Sequence, residues 1–357
     1  MHETLSSQPA RVTEAAANTF DGTYLRPNRG SSGTVPASPP FCDSPDIWIA
    51  GTSAVPNFRK ALAKRASYTQ QSPNTLTVKQ TNYIYVRGKN GAATSQSNTV
   101  KLYYAPSSVI PWPGEWVDNV ITTDQGNGTA LISNLAPGAV GVADQPFVWK
   151  TVPPVPSGSD HYCLFAQLNN DRNQNPFPEV YTQIDMAALL KNNLAWGWRN
   201  TRLVQGEKVD ASYNQMLTVP DDITPGTTRY LVYLIPRGFI GWTVWFTASR
   251  ADAKGRPIEI KPTAVNQDDQ IIGRAFTLKP GFNAVVTVYL KSNNQKAKPG
   301  ATMPFTSSYE TAGPEAEEAV RRGLVHHELN NRLRASVADV GGGPLIVLGS
   351  NHYTYVG

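Results

Sequence analysis

The chain has 357 residues with 40% hydrophobic and only 17% charged side chains, against roughly 25% charged in typical soluble proteins. Its Asn, Gln, Ser and Thr content, with 28 Gly and 28 Pro, favours many short strands and loops over long charged helices. Two cysteines exclude a disulfide-dense scaffold, and no run approaches the ~18 apolar residues of a membrane-spanning helix.

Residues 1–43 are rich in Ser, Pro, Gly and Thr and predict a flexible, surface-draped arm. The first twenty residues lack a cationic start followed by an apolar core, so no signal peptide is read; the expected location is cytoplasmic, or outside by a non-classical export route. Asp46-Ile-Trp-Ile49 predicts a short strand. Phe58 to Ser67 has helical composition over about two turns, with a basic loop as the alternative. From Asn82 to Ala105, Ile84 and Val86 alternate with Tyr83, Tyr85 and Arg87, and Val100, Leu102 and Tyr104 alternate with Lys101 and Tyr103. This is the period-two pattern of two half-buried strands joined by the polar loop Lys89 to Asn98.

Further on, Phe147-Val-Trp149 precedes a proline-rich exit, and Tyr162 to Leu168 is apolar on both faces, as for a central strand packed on two sides. Cys163 lies in that strand as a free buried thiol; a bridge to Cys42 is the alternative. Met186 to Trp198 has helical spacing at the boundary between two units.

In order, SPDIWI, NYIYVRGKNG, NTVKLYYA, Trp112-Pro113 with Trp116, PFVWKTVPPVP and HYCLFAQL resemble the bacterial CARDB group, the cell-adhesion-related β-sandwich domains. The fit rests on Asn82, Tyr85, Val86, Arg87, Lys89, Asn90, Gly91, Lys101, Leu102, Tyr103 and Ala105 and covers about residues 44–170. Gly88 departs from the pattern, a sign of a bulge. The resemblance implies an immunoglobulin-like sandwich, carries no catalytic residue and specifies no ligand.

Residues 201–298 supply six or seven more strands at hairpin spacing, a second sandwich that holds 14 basic and 8 acidic residues from Arg199 onward, against 18 and 19 elsewhere. A mild preference for anionic partners is one reading and ordinary solvation the favoured one; no specific nucleic-acid signature occurs. Residues 299–357 change character: Pro314 opens a helix with acids in its first turn, and Leu324, Val325, Leu329 and Leu333 form a narrow apolar stripe. A glycine tether at 341–343 then releases Leu345-Ile346-Val347-Leu348, with Tyr353 and Tyr355 near the end.

The predicted fold is all-β: an arm (1–43), a CARDB-like sandwich (44–200), a second immunoglobulin-like sandwich (201–298) and a helix-plus-strand tail (299–357). No phosphate loop, paired Cys-x-x-Cys or Gly-x-Ser-x-Gly elbow occurs, so no catalytic residue, resident metal or cofactor is assigned. His326-His327-Glu328 lacks zinc spacing, since ligands on one helical face stand about four apart. The loop Asn169 to Asn175 carries oxygen donors suited to calcium but only one charge, and Glu115, Asp118 and Asp124 beside two tryptophans suggest a weak hydrolase alternative. The expected function is a non-catalytic bacterial structural or protein-interaction protein that self-associates or docks through its ends. The proposed contacts are Leu345, Ile346, Val347, Leu348, Tyr353, Tyr355, Leu329 and Leu333, adding as a strand to a neighbour's sheet edge. The alternative is a glycan or cell-surface adhesin or effector, with Trp112 and Trp116 stacking on sugar rings.

Overall fold

The computed structural model describes residues 18–70, 73–170, 174–203, 210–224 and 226–354, and the alternating segments become antiparallel sheets packed in pairs. In the first sandwich, β1 (Ile47–Gly51) and β2 (Asn82–Asn90) lie in one sheet, and β3 (Gln96–Pro106), β4 (Val120–Ile121) and β5 (Ala130–Leu135) in the other. The strands β6 (Val140–Val142) and β7 (Phe147–Trp149) flank β2, while β8 (Tyr162–Asn169) and β9 (Trp196–Asn200) extend the sheet of β3. Ile49, Ile84 and Val86 face Val100, Leu102, Leu164 and Ala166 across the core, as the alternation requires. The two strands around Lys89 to Asn98 therefore belong to opposite sheets, and their loop is a crossover rather than a hairpin. Gly88 stands in regular register with Gly141, without a bulge. A Cβ there would lie 2.8 Å from Thr23 Cγ2, so the glycine admits a neighbouring strand at close range.

That neighbour belongs to the segment expected to be a loose arm. Thr23–Tyr24 pairs with β2, Leu25 donates its backbone N–H to Leu194 O at 2.7 Å, and Leu25, Phe41 and Cys42 are buried. Arg26 and Arg87 both pair with the buried Asp46 carboxylate, at 2.6 and 3.1 Å. A few anchors thus offset the ordering cost that composition alone suggested was too high. Asp46 and Arg87, both within the CARDB-like motifs, meet each other and serve the interior. Residues 1–17 lie outside the described part. On the outer face, Phe58–Ala63 forms helix α1 over Tyr85 and Val142, and Arg65–Tyr68 a further helical turn.

The predicted helix from Met186 to Trp198 is displaced. Helix α2 is Gln183–Asn192, opened by a capping box between Thr182 and Asp185, and Trp196 and Trp198 lie in β9 instead.

The second sandwich pairs one sheet, β10 (Ala211–Val219), β12 (Thr243–Ala251), β13 (Pro257–Ala264) and β15 (Phe282–Lys291), with another. That other sheet contains β11 (Thr228–Leu234), β14 (Ile272–Leu278), β16 (Thr302–Glu310) and β17 (Leu345–Thr354). The boundary expected at 298 is therefore wrong: β16 and β17 complete this sandwich, and β17 pairs along β16 from Glu310↔Leu345 to Thr302↔Thr354. The expected single helix after Pro314 is two, α3 (Pro314–Arg321) and α4 (His327–Ser336), separated at Gly323, whose φ is +67°. The apolar stripe has a place after all: Leu333 is buried and Leu329 packs beside it against Leu231, Tyr233, Ala275 and Leu345 on the sheet's outer face.

The sandwiches are joined by exchange of chain. Ser107 to Trp116 leaves β3 and crosses over, placing Val109, Ile110 and Trp112 in the second core. Val109 N donates to Met216 O at 2.8 Å, and Met216 N to Ser107 O at 3.1 Å. From the other side α2 contributes Ile184, Met186 and Ala187 to the same core.

Candidate functional site

Strand alternation turns His161 and Cys163 to the outer face of the first sandwich, and the second sandwich covers that face. There Asp160 Oδ1 lies 2.5 Å from His161 Nδ1, while His161 Nε2 lies 4.0 Å from Cys163 Sγ. The order carboxylate, imidazole, thiol is that of an activated cysteine nucleophile. The surroundings do not support that role. The Cys163 thiol donates to Asn200 Oδ1 at 3.4 Å; Asn200 Nδ2 donates to Asn351 Oδ1 at 2.8 Å, and Asn351 Nδ2 to Ser108 O at 3.2 Å. Burial alone would lower the His161 pKa, but the Asp160 carboxylate raises it to about 10, so the ring is an imidazolium at neutral pH and not a base. Cys163 and His161 are 1% and 5% exposed, out of reach of a substrate unless the sandwiches separate. Cys42 is likewise a buried free thiol, 3.6 Å from Ser350 Oγ, and no bridge to Cys163 forms.

The residues proposed as intermolecular contacts are occupied within the chain. Leu345, Ile346, Val347, Leu348 and Tyr353 are buried, and Tyr353 stacks on Tyr213 at 4.1 Å; Tyr355 lies outside the described residues. The outer edge of β17 is closed as well. Val325 bridges Ile346, and the Asn330 carboxamide imitates a neighbouring strand, accepting from Leu345 N at 2.6 Å and donating to Leu345 O at 2.9 Å. Trp112 and Trp116 cannot stack on a sugar, being 1% exposed each. Trp112 Nε1 donates to Thr218 O at 2.7 Å, and Trp116 stacks on Phe165 at 4.5 Å. His326 caps α4 by accepting from Leu329 N.

One open concavity forms where three separate segments meet. In β3, β5 and β8, Asn169, Thr99 and Leu131 stand in one cross-strand row, and Ser97 and Ser133 are exposed beside it. Gln174 and Pro176 rise from the loop after β8 and complete a groove of about 360 Å³. Its lining carries hydroxyls, carboxamides and short apolar groups, with no charged side chain. The loop base is fixed: Asn170 Nδ2 donates to Gln96 Oε1 and Asn98 Oδ1, both at 2.8 Å, and Asn175 N donates to Asn169 Oδ1 at 2.8 Å. The amides suggested as calcium donors thus serve the loop itself, and Asp171 lies outside the described residues. The groove was not legible in the sequence because its parts are distant along the chain and unremarkable singly.

No known family pattern matches the chain, and no curated protein matches it. Solved structures give weak similarities only. A secreted serine protease, VesC, from Vibrio cholerae is 6% identical with a TM-score of 0.21, covering 68% of this chain and 50% of the protease chain. The calcium binding domain CBD12 of CALX1.1 is 10% identical with a TM-score of 0.18, covering 77% of this chain and 96% of its own. The C-terminal domain of the Streptococcus agalactiae AgI/II polypeptide BspA is 8% identical with a TM-score of 0.17, covering 66% of this chain and 90% of its own.

Proposed function

We propose that this chain is a non-catalytic interaction protein: two β-sandwiches joined by exchanged segments into a platform that presents a binding surface on the first sandwich. The observation that carries this reading is a contrast in access. The nucleophile-like constellation of Asp160, His161 and Cys163 is buried in the seam, whereas the groove between Thr99, Leu131 and Gln174 is open and polar. In this reading the first sandwich is a CARDB-like module whose motif residues Asp46 and Arg87 hold the fold together. Self-association, if it occurs, uses a surface other than β17. The test is turnover by the purified full chain on panels of ester, peptide and glycoside substrates. Inactivity throughout supports the proposal; activity that disappears in Cys163→Ser or His161→Ala overturns it.

A further inference from the structure

We infer that the groove over β3, β5 and β8 is a binding site for a neutral saccharide, an inference that rests on the recognition role proposed above. Its chemistry selects the ligand class. A phosphate, sulfate or carboxylate ligand needs a cation to compensate its desolvation, and a cationic ligand needs a carboxylate; the lining offers neither. Vicinal sugar hydroxyls both donate and accept, matching the hydroxyls of Ser97, Thr99 and Ser133 and the carboxamide of Gln174. Ser133 and Gln174 make no side-chain hydrogen bond among the described residues, so their polar atoms are unspent. Leu131 is 46% exposed in the middle of this polar surface, placed to meet the C–H face of a ring. The volume, about 360 Å³, is at the small end of the ~300–1,000 Å³ range of ligand pockets.

Two features argue for a small ligand held by side chains rather than a peptide added as a strand. Strand addition at β5 would use the free backbone of Leu131, but Leu131 N already donates to Asp144 Oδ1 at 2.8 Å, and Leu131 O accepts from Asp144 N at 2.8 Å. The groove is also ordered in advance, because Asn170 is clamped between Gln96 and Asn98 and the loop is tied down through Asn175. Little conformational freedom remains to be lost on binding, which matters for ligands whose hydrogen bonds only replace those to water.

The test uses the full chain on an array of neutral oligosaccharides (α- and β-glucans, mannans, xylans and chitooligosaccharides), with sialylated and sulfated glycans and a peptide library beside them. Hits are measured by calorimetry. Thr99→Arg and Ser133→Arg place a long side chain into the groove from exposed positions, and Ile240→Ala, on the exposed surface of the second sandwich, is the control. Thermal melts confirm that all three fold. The expected result is binding of a neutral oligosaccharide that weakens at least tenfold in both arginine variants and is unchanged in Ile240→Ala. The inference is overturned if no neutral glycan binds, if only anionic glycans bind, or if binding survives both arginine variants. A peptide ligand lost in those variants refutes the saccharide class but leaves the recognition role standing, whereas turnover lost in Cys163→Ser refutes that role itself.

Discussion

Removing β17 provides the sharpest test of where the C-terminal strand belongs. Truncation after Ser336 deletes Leu345, Ile346, Val347 and Leu348, each between 0 and 5% exposed, together with the whole ladder to β16. At about 1.5–3 kcal/mol per buried aliphatic side chain, the lost burial is roughly 6–12 kcal/mol. That is comparable to the entire ~5–15 kcal/mol stability of a typical domain, so the second sandwich should not fold without this strand. A milder version is Leu348→Ala, which should cost about 2–5 kcal/mol and lower the melting temperature by about 4–20 °C at roughly 2–4 °C per kcal/mol. The measurements are near-UV circular dichroism, urea melts and sedimentation velocity. A truncated protein that keeps its native dichroism and melting midpoint while losing an oligomeric state would refute the intramolecular assignment and restore strand exchange between molecules.

Other perturbations probe the seam and the first sandwich. Gly349→Ala places a Cβ 2.1 Å from Val109 O, so the crossing segment must move; a loss of about 3 kcal/mol is expected, with altered fluorescence from Trp112 and Trp116. Asp46→Ala leaves two buried guanidinium groups without a counterion and should cost about 3–5 kcal/mol, read as a shift in the urea midpoint at unchanged slope. For the Asp160–His161 pair, the folded pKa of about 10 lies above the unfolded value of ~6.5. Its stabilisation is therefore complete below pH ~6.5 and is lost as the pH rises through 10. Asp160 is 23% exposed, so a screened contribution of about 2 kcal/mol is expected. Urea melts of the parent and Asp160→Asn should differ by that amount at pH 6 and converge by pH 10; a constant difference would contradict the assignment. Asn330→Ala should cost about 1–3 kcal/mol by leaving both backbone groups of Leu345 unsatisfied at the buried edge, and hydrogen exchange at Leu345 should report it.

Local pattern made the strands visible but not their partners. The two apolar faces of Tyr162 to Leu168 correctly implied packing on both sides, and Trp242 and Trp245 divide as their odd spacing suggests, Trp242 into the core and Trp245 onto Tyr289 at 4.9 Å. Alternation specifies which face a residue occupies and leaves open which sheet a strand joins, so β2 and β3 read as a hairpin although a core separates them. The last strand shows the same limit. An apolar segment on a glycine tether must pair, but nothing within it distinguishes the edge of its own sheet from a neighbour's. Composition misjudged residues 18–43 because their order depends on partners elsewhere, Leu194 for Leu25 and Asp46 for Arg26. The Asp-His-x-Cys sequence was visible, but its burial depends on the second sandwich. The groove required three strands to be aligned before Asn169, Thr99 and Leu131 could be seen as one row.

The crossing of Ser107 to Trp116 also has a consequence for synthesis. During translation Val109, Ile110 and Trp112 emerge well before Leu217, Val232 and Leu348, whose side chains will enclose them. Domains usually mature as units from the N-terminus, yet here the earlier sandwich carries a sticky apolar flap that only the later one can shelter. A recombinant fragment cut near residue 200 would keep that flap in water permanently, so aggregation of such a fragment would reflect a missing companion rather than an intrinsically poor fold. The same arrangement discourages shuffling of either half into other proteins as an independent module.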